Sequence, residues 1–116
     1  MNNYKNFYFI GIGGIGMSAL ARYFKSLGKN VLGYDKTETK LTSKLQEEDI
    51  KITFDDQITE DVSILKKEET LVIYTPAIKQ LDILEYFKNQ GFEVLKRAKV
   101  LGLITQNTEC IAVAGT

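Results

Sequence analysis

Histidine is absent from this 116-residue chain, cysteine and proline occur once each, and the charged residues cancel to zero. Each shortage closes off a class of function. Without histidine the chain can build no His-ligated metal site, no Ser-His-Asp triad and no His general base. The lone Cys110 cannot form an internal disulfide, which suits a reducing compartment. Fifteen basic and fifteen acidic residues leave no charge excess to attract nucleic acid or an anionic membrane. Basic and aromatic residues are not interleaved along one face either, so an RNA-binding surface has little support. The apolar stretch after Met1-Asn2-Asn3-Tyr4-Lys5 is short and broken by glycines. It is neither a signal peptide nor the roughly 20 apolar residues needed to span a bilayer, and the expected location is the cytoplasm.

What is present is an ordinary globular composition, 44% apolar and 26% charged, long enough to bury one hydrophobic core. There is no internal repeat and no low-complexity segment. Short β-branched or aromatic runs alternate with amphipathic windows. Phe7 to Ile12 reads as a buried strand ending in glycines. Met17, Leu20, Ala21, Phe24 and Leu27 then recur at helical spacing, with Gly28 placed to close the helix. Val31 to Tyr34 reads as a strand, Leu41 and Leu45 mark a polar helix, and Ile50 to Phe54 is a short strand. Asp56 to Lys67 has no clear period, and a short helix is the most it suggests. Leu71 to Tyr74 is a strand stopped by Pro76. Leu81, Leu84 and Phe87 line a helix closed by Gly91, and Phe92 to Leu95 is the next strand. Arg97 to Thr105 reads as helical, and Cys110 to Ala114 as a last strand. This alternation predicts a Rossmann-like, doubly wound α/β fold: a mostly parallel sheet of about five strands with helices on both faces.

The strongest chemical signal is Gly11-Ile12-Gly13-Gly14-Ile15-Gly16, which follows the first strand and opens the first long helix. In that setting Gly11 permits the tight turn, Gly13 lets backbone approach a ligand, and Gly16 lets helix and strand pack closely. The helix N-terminus then offers free N–H groups to a phosphate. A tight turn with no ligand is the plainer reading. Asp35 ends the second strand roughly 20 residues on, where a carboxylate can accept from ribose hydroxyls or merely start the next helix. Thr75-Pro76-Ala77 and Lys96-Arg97 follow two further strands and lie on the same edge if the sheet is parallel. Arg97 can pair with a phosphate or sit at the surface as a helix start. Thr75 can present its hydroxyl to a ligand or begin the turn. Met17 reads better as core than as a ligand contact, and Asp55 and Asp56 as solvated turn residues. Ribose and pyrophosphate are common to several ligands, so an NAD-binding domain of an oxidoreductase or redox-sensing regulator fits the loop and Asp35 as well.

Five segments in order carry a family likeness: the loop through Met17-Ser18, Gly33-Tyr34-Asp35, Thr75-Pro76-Ala77-Ile78-Lys79, Arg97-Ala98-Lys99-Val100-Leu101, and Ile111-Ala112-Val113-Ala114-Gly115-Thr116. Together they resemble the N-terminal domain of the Mur ligases, especially members that join L-alanine to UDP-N-acetylmuramic acid in peptidoglycan biosynthesis. The likeness spans nearly the whole chain. It implies that residues 1–108 form a UDP-sugar-binding domain. Gly13, Gly14, Ile15, Gly16 and Met17 would then face the diphosphate, with Asp35, Thr75, Pro76, Ala77 and Arg97 around the uridine and phosphates. Residues 109–116 would be the first strand of the next, ATP-binding domain, and Gly115 and Thr116 the start of a phosphate loop that in the family reads Gly-Thr-His-Gly-Lys-Thr. The chain is thus expected to be a piece of a longer ligase, lacking the central and C-terminal domains and inactive alone. The whole enzyme, by this resemblance, uses ATP and magnesium to phosphorylate the lactyl carboxylate of the sugar nucleotide, and the amine of L-alanine then attacks. Many relatives carry Gly-His after the third strand where this chain has Asp55-Asp56, so a ligand contact there does not carry over. A related ligase that recycles a muropeptide shares the plan but usually lacks the double-glycine loop.

Overall fold

The computed structural model describes residues 4–75 and 81–107. Its centre is a five-stranded sheet in the order β3-β2-β1-β4-β5. The strands are β1 (Asn6–Ile10), β2 (Asn30–Tyr34), β3 (Lys51–Thr53), β4 (Thr70–Tyr74) and β5 (Glu93–Lys96), and every neighbouring pair is parallel. Between them run α1 (Ile15–Ser26), α2 (Lys40–Glu47), the single turn α3 (Glu60–Ser63) and α4 (Asp82–Asn89), and α5 (Arg97–Asn107) follows β5. The chain winds outward from β1 to β3, then crosses back to β4. The order therefore reverses between β1 and β4, and the crevice beyond the carboxyl ends of these two strands is where open α/β sheets take ligands.

Alternation along the strands builds two cores. Phe7, Phe9, Val31, Leu71 and Ile73 face α1, α2 and α5, whose Met17, Leu20, Phe24, Leu45, Val100 and Ile104 cover them. Tyr8, Ile10, Leu32 and Val72 face the other way, under Val62 of α3 and Ile83, Leu84 and Phe87 of α4. Phe7 stacks on Phe24 with ring centroids 3.9 Å apart, and burying each such ring contributes roughly 2 to 3 kcal/mol. β1 pairs with β2 and β4 over its full length, Phe9 opposite Gly33 and Ile73. An all-apolar strand suits that two-sided burial.

Glycines with positive φ account for two departures from the sequence reading. Leu27, expected on the core face of α1, is the C-cap and 54% exposed, because Gly28 turns the chain at φ 83° and Lys29 N donates to Phe24 O. β1 also stops at Ile10 rather than Ile12, since Gly11 takes φ 91° and leaves the ladder. α2 starts at a reciprocal capping box between Thr39 and Thr42. It closes as α1 and α4 do, but with Asp49 (φ 67°) in the left-handed position that Gly28 and Gly91 fill elsewhere. The expected strand over Cys110 to Ala114, and the boundary expected near residue 108, lie outside the described residues.

Candidate functional site

The loop between β1 and α1 is hooked onto the end of β2. Gly11 N and Ile12 N both donate to Tyr34 O, at 2.7 and 3.0 Å. Ile12 is thereby driven into the core, while Gly14, Ile15 and Gly16 emerge exposed at the tip. Gly14 is the N-cap of α1 and supplies no side-chain cap, and the first turn holds no acidic residue. Among the described residues no acceptor meets the N–H groups of Ile15, Gly16 and Met17. Three unsatisfied donors at the positive end of a helix dipole form a favourable position for an anion. Met17 contributes only its backbone there, because its side chain is buried.

Arg97 brings a second positive group to the same spot. It opens α5 directly after β5, and a methyl group placed on Gly16 would lie 3.0 Å from its Nη1 and 3.1 Å from its Cζ. Gly16 is therefore small because a guanidinium passes over it, a reason the sequence did not show. No salt bridge engages Arg97 among the described residues. Its fork is free to meet a phosphate in two hydrogen bonds.

Asp35 lies on the other side of the loop. Its N–H donates to Thr53 O at 3.1 Å, which ties the end of β2 to β3. Its Oδ2 accepts from Gly13 N at 2.8 Å and its Oδ1 from Thr37 N at 3.0 Å. The side chain is thus held at the loop and does not cap α2, whose cap is Thr39. Fully buried Thr42 completes the wall: its methyl would be 3.0 Å from a Cβ on Gly13. Sequence reasoning passed over Thr42. The signal available was its place three residues after Thr39, in a capping box, which said nothing of the loop.

Thr75 stands half-exposed at the end of β4 on this edge. Pro76 and Ala77 lie outside the described residues, as do Gly115 and Thr116. Asp56 takes a different part from the expected solvated turn. Its Oδ2 accepts from Asp82 N at 2.8 Å and its Oδ1 from Ile83 N at 2.9 Å, so it caps α4 from 26 residues away. Leu81, the N-cap by position, has no side-chain acceptor to do so. Asp56 also raises the pKa of Tyr34, after burial and ahead of Asp35 and Asp55. Beneath them the Tyr8 hydroxyl and Thr53 Oγ1 are buried without a hydrogen-bond partner of good geometry. Burial, with Thr53 opposing it and Asp56 adding to it, pushes the Tyr8 phenol up to about 12.

The edge is therefore polarised. Arg97 and the N-terminus of α1 make one part cationic, while Asp35, Asp55 and Asp56 at the ends of β2 and β3 make the other anionic. Among the described residues no cluster of three or more His, Cys, Asp or Glu is placed to hold a metal ion. None of the described helices is long and apolar enough to cross a membrane.

Known proteins resemble this chain in sequence and fold. The sequence profile of the Mur ligase family, catalytic domain, matches residues 6–108. A UDP-N-acetylmuramate--L-alanine ligase of Flavobacterium psychrophilum is 56% identical over 117 residues, covering 100% of this chain and 26% of that protein. One from Christiangramia forsetii is 50% identical over 119 residues, again covering 100% of this chain and 26% of the relative. The chain thus spans about a quarter of the length of these relatives. Among solved structures, the UDP-N-acetylmuramate-alanine ligase MurC of Thermotoga maritima superposes with a TM-score of 0.76 at 27% identity, over 88% of this chain and 23% of that one. A murein peptide ligase from Psychrobacter arcticus shares the fold, with a TM-score of 0.65 at 24% identity over 78% of this chain and 18% of that one. With a profile running from β1 through α5, the chain belongs to the Mur ligase family.

Proposed function

We propose that this chain is the domain that holds the UDP part of UDP-N-acetylmuramic acid for an ATP-dependent ligase adding L-alanine to it. The observation that carries this reading is the polarity of the ligand edge. A diphosphate fits the three free N–H groups of α1 together with the guanidinium of Arg97, which lies over Gly16. A ribose, which presents hydroxyl donors, fits the carboxylate of Asp35 at the neighbouring strand end. The nucleoside then lies toward β2 and β3, and the diphosphate toward Arg97, with Thr75 between them. Similarity to ligases named for this substrate supports the choice of sugar nucleotide.

The chain's own part is to bind and orient. On this reading phosphoryl transfer and amine activation fall to the rest of the full-length protein. In the full-length protein, ATP with magnesium would activate the carboxylate to be joined to L-alanine, and Gly115 and Thr116 would belong to the start of that nucleotide's loop. Residues 1–108 would act as the substrate domain and 109–116 as the entry to the ATP-binding domain, in a cytoplasmic enzyme of cell-wall synthesis.

Calorimetric titration of the chain with UDP-N-acetylmuramic acid, UDP and NAD tests the reading. The first two should bind, and Arg97→Ala should weaken both on the order of tenfold, the loss of a charge-assisted phosphate contact. Tight binding of NAD with no response to UDP would reverse the assignment.

A further inference from the structure

Asp35 touches the glycine loop itself. Tyr34 O takes the N–H groups of Gly11 and Ile12, and Gly13 N, the next donor of that loop, already has an acceptor in the free chain, Asp35 Oδ2 at 2.8 Å. The carboxylate has little room to leave. Thr37 N holds its other oxygen, and Thr53 O holds its backbone. The methyl of Thr42 lies beside it, on the same side of Gly13: a Cβ there would be 2.7 Å from Oδ2 and 3.0 Å from that methyl. The inner end of the loop is thus a filled anion position, whereas the outer end, from Ile15 to Met17, is open and faces Arg97.

We infer that Asp35 is a built-in anion that bars phosphate from Gly13 and so fixes the register of the bound diphosphate, one step outward on α1 and Arg97. A phosphate entering at Gly13 would lose its donor to the carboxylate and meet a like charge at close range in a partly buried site. A neutral hydroxyl loses nothing there, because it donates to the carboxylate. The same residue therefore admits the sugar of a nucleotide and turns the phosphates outward. This makes Asp35 a specificity determinant, and it rests on the nucleotide-diphosphate reading given above.

Pyrophosphate, which has no sugar, isolates the effect. With the wild-type chain it should move the backbone amide resonances of Ile15, Gly16 and Met17 and leave that of Gly13 in place. With Asp35→Ala it should bind on the order of tenfold tighter, the removal of one facing charge, and Gly13 should now shift. Asp35→Asn keeps an acceptor for Gly13 N but no charge. It should fall between the two, and it carries the test if the alanine variant folds poorly, which a melting curve of each variant shows. Unchanged pyrophosphate affinity with an unmoved Gly13 in both variants overturns the inference. A parallel titration with UDP-N-acetylmuramic acid separates the two claims. If wild type ignores it while Asp35→Ala gains pyrophosphate at Gly13, the substrate reading falls and the exclusion stands. If wild type binds it and neither variant gains pyrophosphate, the exclusion falls and the reading stands.

Discussion

Gly33→Ala should be among the most damaging single-methyl additions to this fold. Gly33 lies in β2 opposite Phe9 of β1. A Cβ there would sit 2.7 Å from Phe9 O, 2.6 Å from Ile12 Cδ1 and 2.8 Å from Ile12 Cβ. Ile12 is fully buried, so it has no solvent to swing into. Phe9 O belongs to a strand hydrogen-bonded on both edges, by β2 and by β4, and it cannot retreat without opening one ladder. Overpacking a well-filled core costs about 1 to 3 kcal/mol, and a rigid backbone neighbour puts this case at the upper end. For a domain of this size about 3 kcal/mol corresponds to roughly a 12 °C fall in Tm. Gly102→Ala is the control: nothing lies within 4 Å of a Cβ there, and in an exposed helix it should gain about 0.5 to 1 kcal/mol. Circular dichroism melts and urea titrations of both variants read the difference. A Gly33→Ala protein melting within about 3 °C of wild type, under 1 kcal/mol, would refute the packing argument. It would also sever the link between β2 and the loop, since Ile12 leads directly into Gly13.

Three other outcomes follow from the same structure. Tyr8 has a folded pKa of about 12 against an ordinary 10.0. Its burial therefore contributes fully below pH 10, and that stability is lost as pH rises from 10 to 12, by about 2 to 3 kcal/mol. Tyr8→Phe should flatten that alkaline loss in denaturant melts run across pH 9 to 12, at little cost near neutrality, because the hydroxyl it removes has no hydrogen-bond partner of good geometry. Asp56→Ala should cost about 1 to 2 kcal/mol by leaving two N–H groups of α4 without acceptors, and Asp56→Asn should recover part of it. Equal urea midpoints for Asp56→Ala and wild type would contradict the cap. Asp49→Gly should stabilise the chain by about 0.5 to 1 kcal/mol, because glycine takes the left-handed position without strain; a lower Tm would count against it.

The course of the chain was readable where the signal is local. Phe7 to Ile10 and Leu71 to Tyr74 are continuous apolar runs because both faces of a parallel sheet are covered, and Gly28 and Gly91 mark helix ends because only they take positive φ cheaply. Glycines in a strand–loop–helix setting likewise located the exposed turn between β1 and α1. What the sequence hid is long-range. Asp56 reads as a turn residue because its partners, Asp82 N and Ile83 N, are 26 and 27 positions away. Gly16 reads as a helix–strand contact, yet what passes over it is the guanidinium of Arg97, 81 positions later by number. Asp35 was expected at a ribose, and its bond to Gly13 N depends on where Tyr34 O pulls the loop. Leu27 misled because helical spacing cannot tell the last core position from the first residue of a cap.

The central claim is that one edge of the sheet grips a UDP-sugar through the N-terminus of α1, Asp35 and Arg97. Titrating the isotope-labelled chain with UDP-N-acetylmuramic acid while following backbone amides and the Arg97 guanidinium tests it most directly. The account predicts saturable shifts concentrated at Ile15, Gly16, Met17, Asp35 and Arg97. Shifts confined to the opposite edge of the sheet, or none at millimolar ligand with the fold intact, would contradict it.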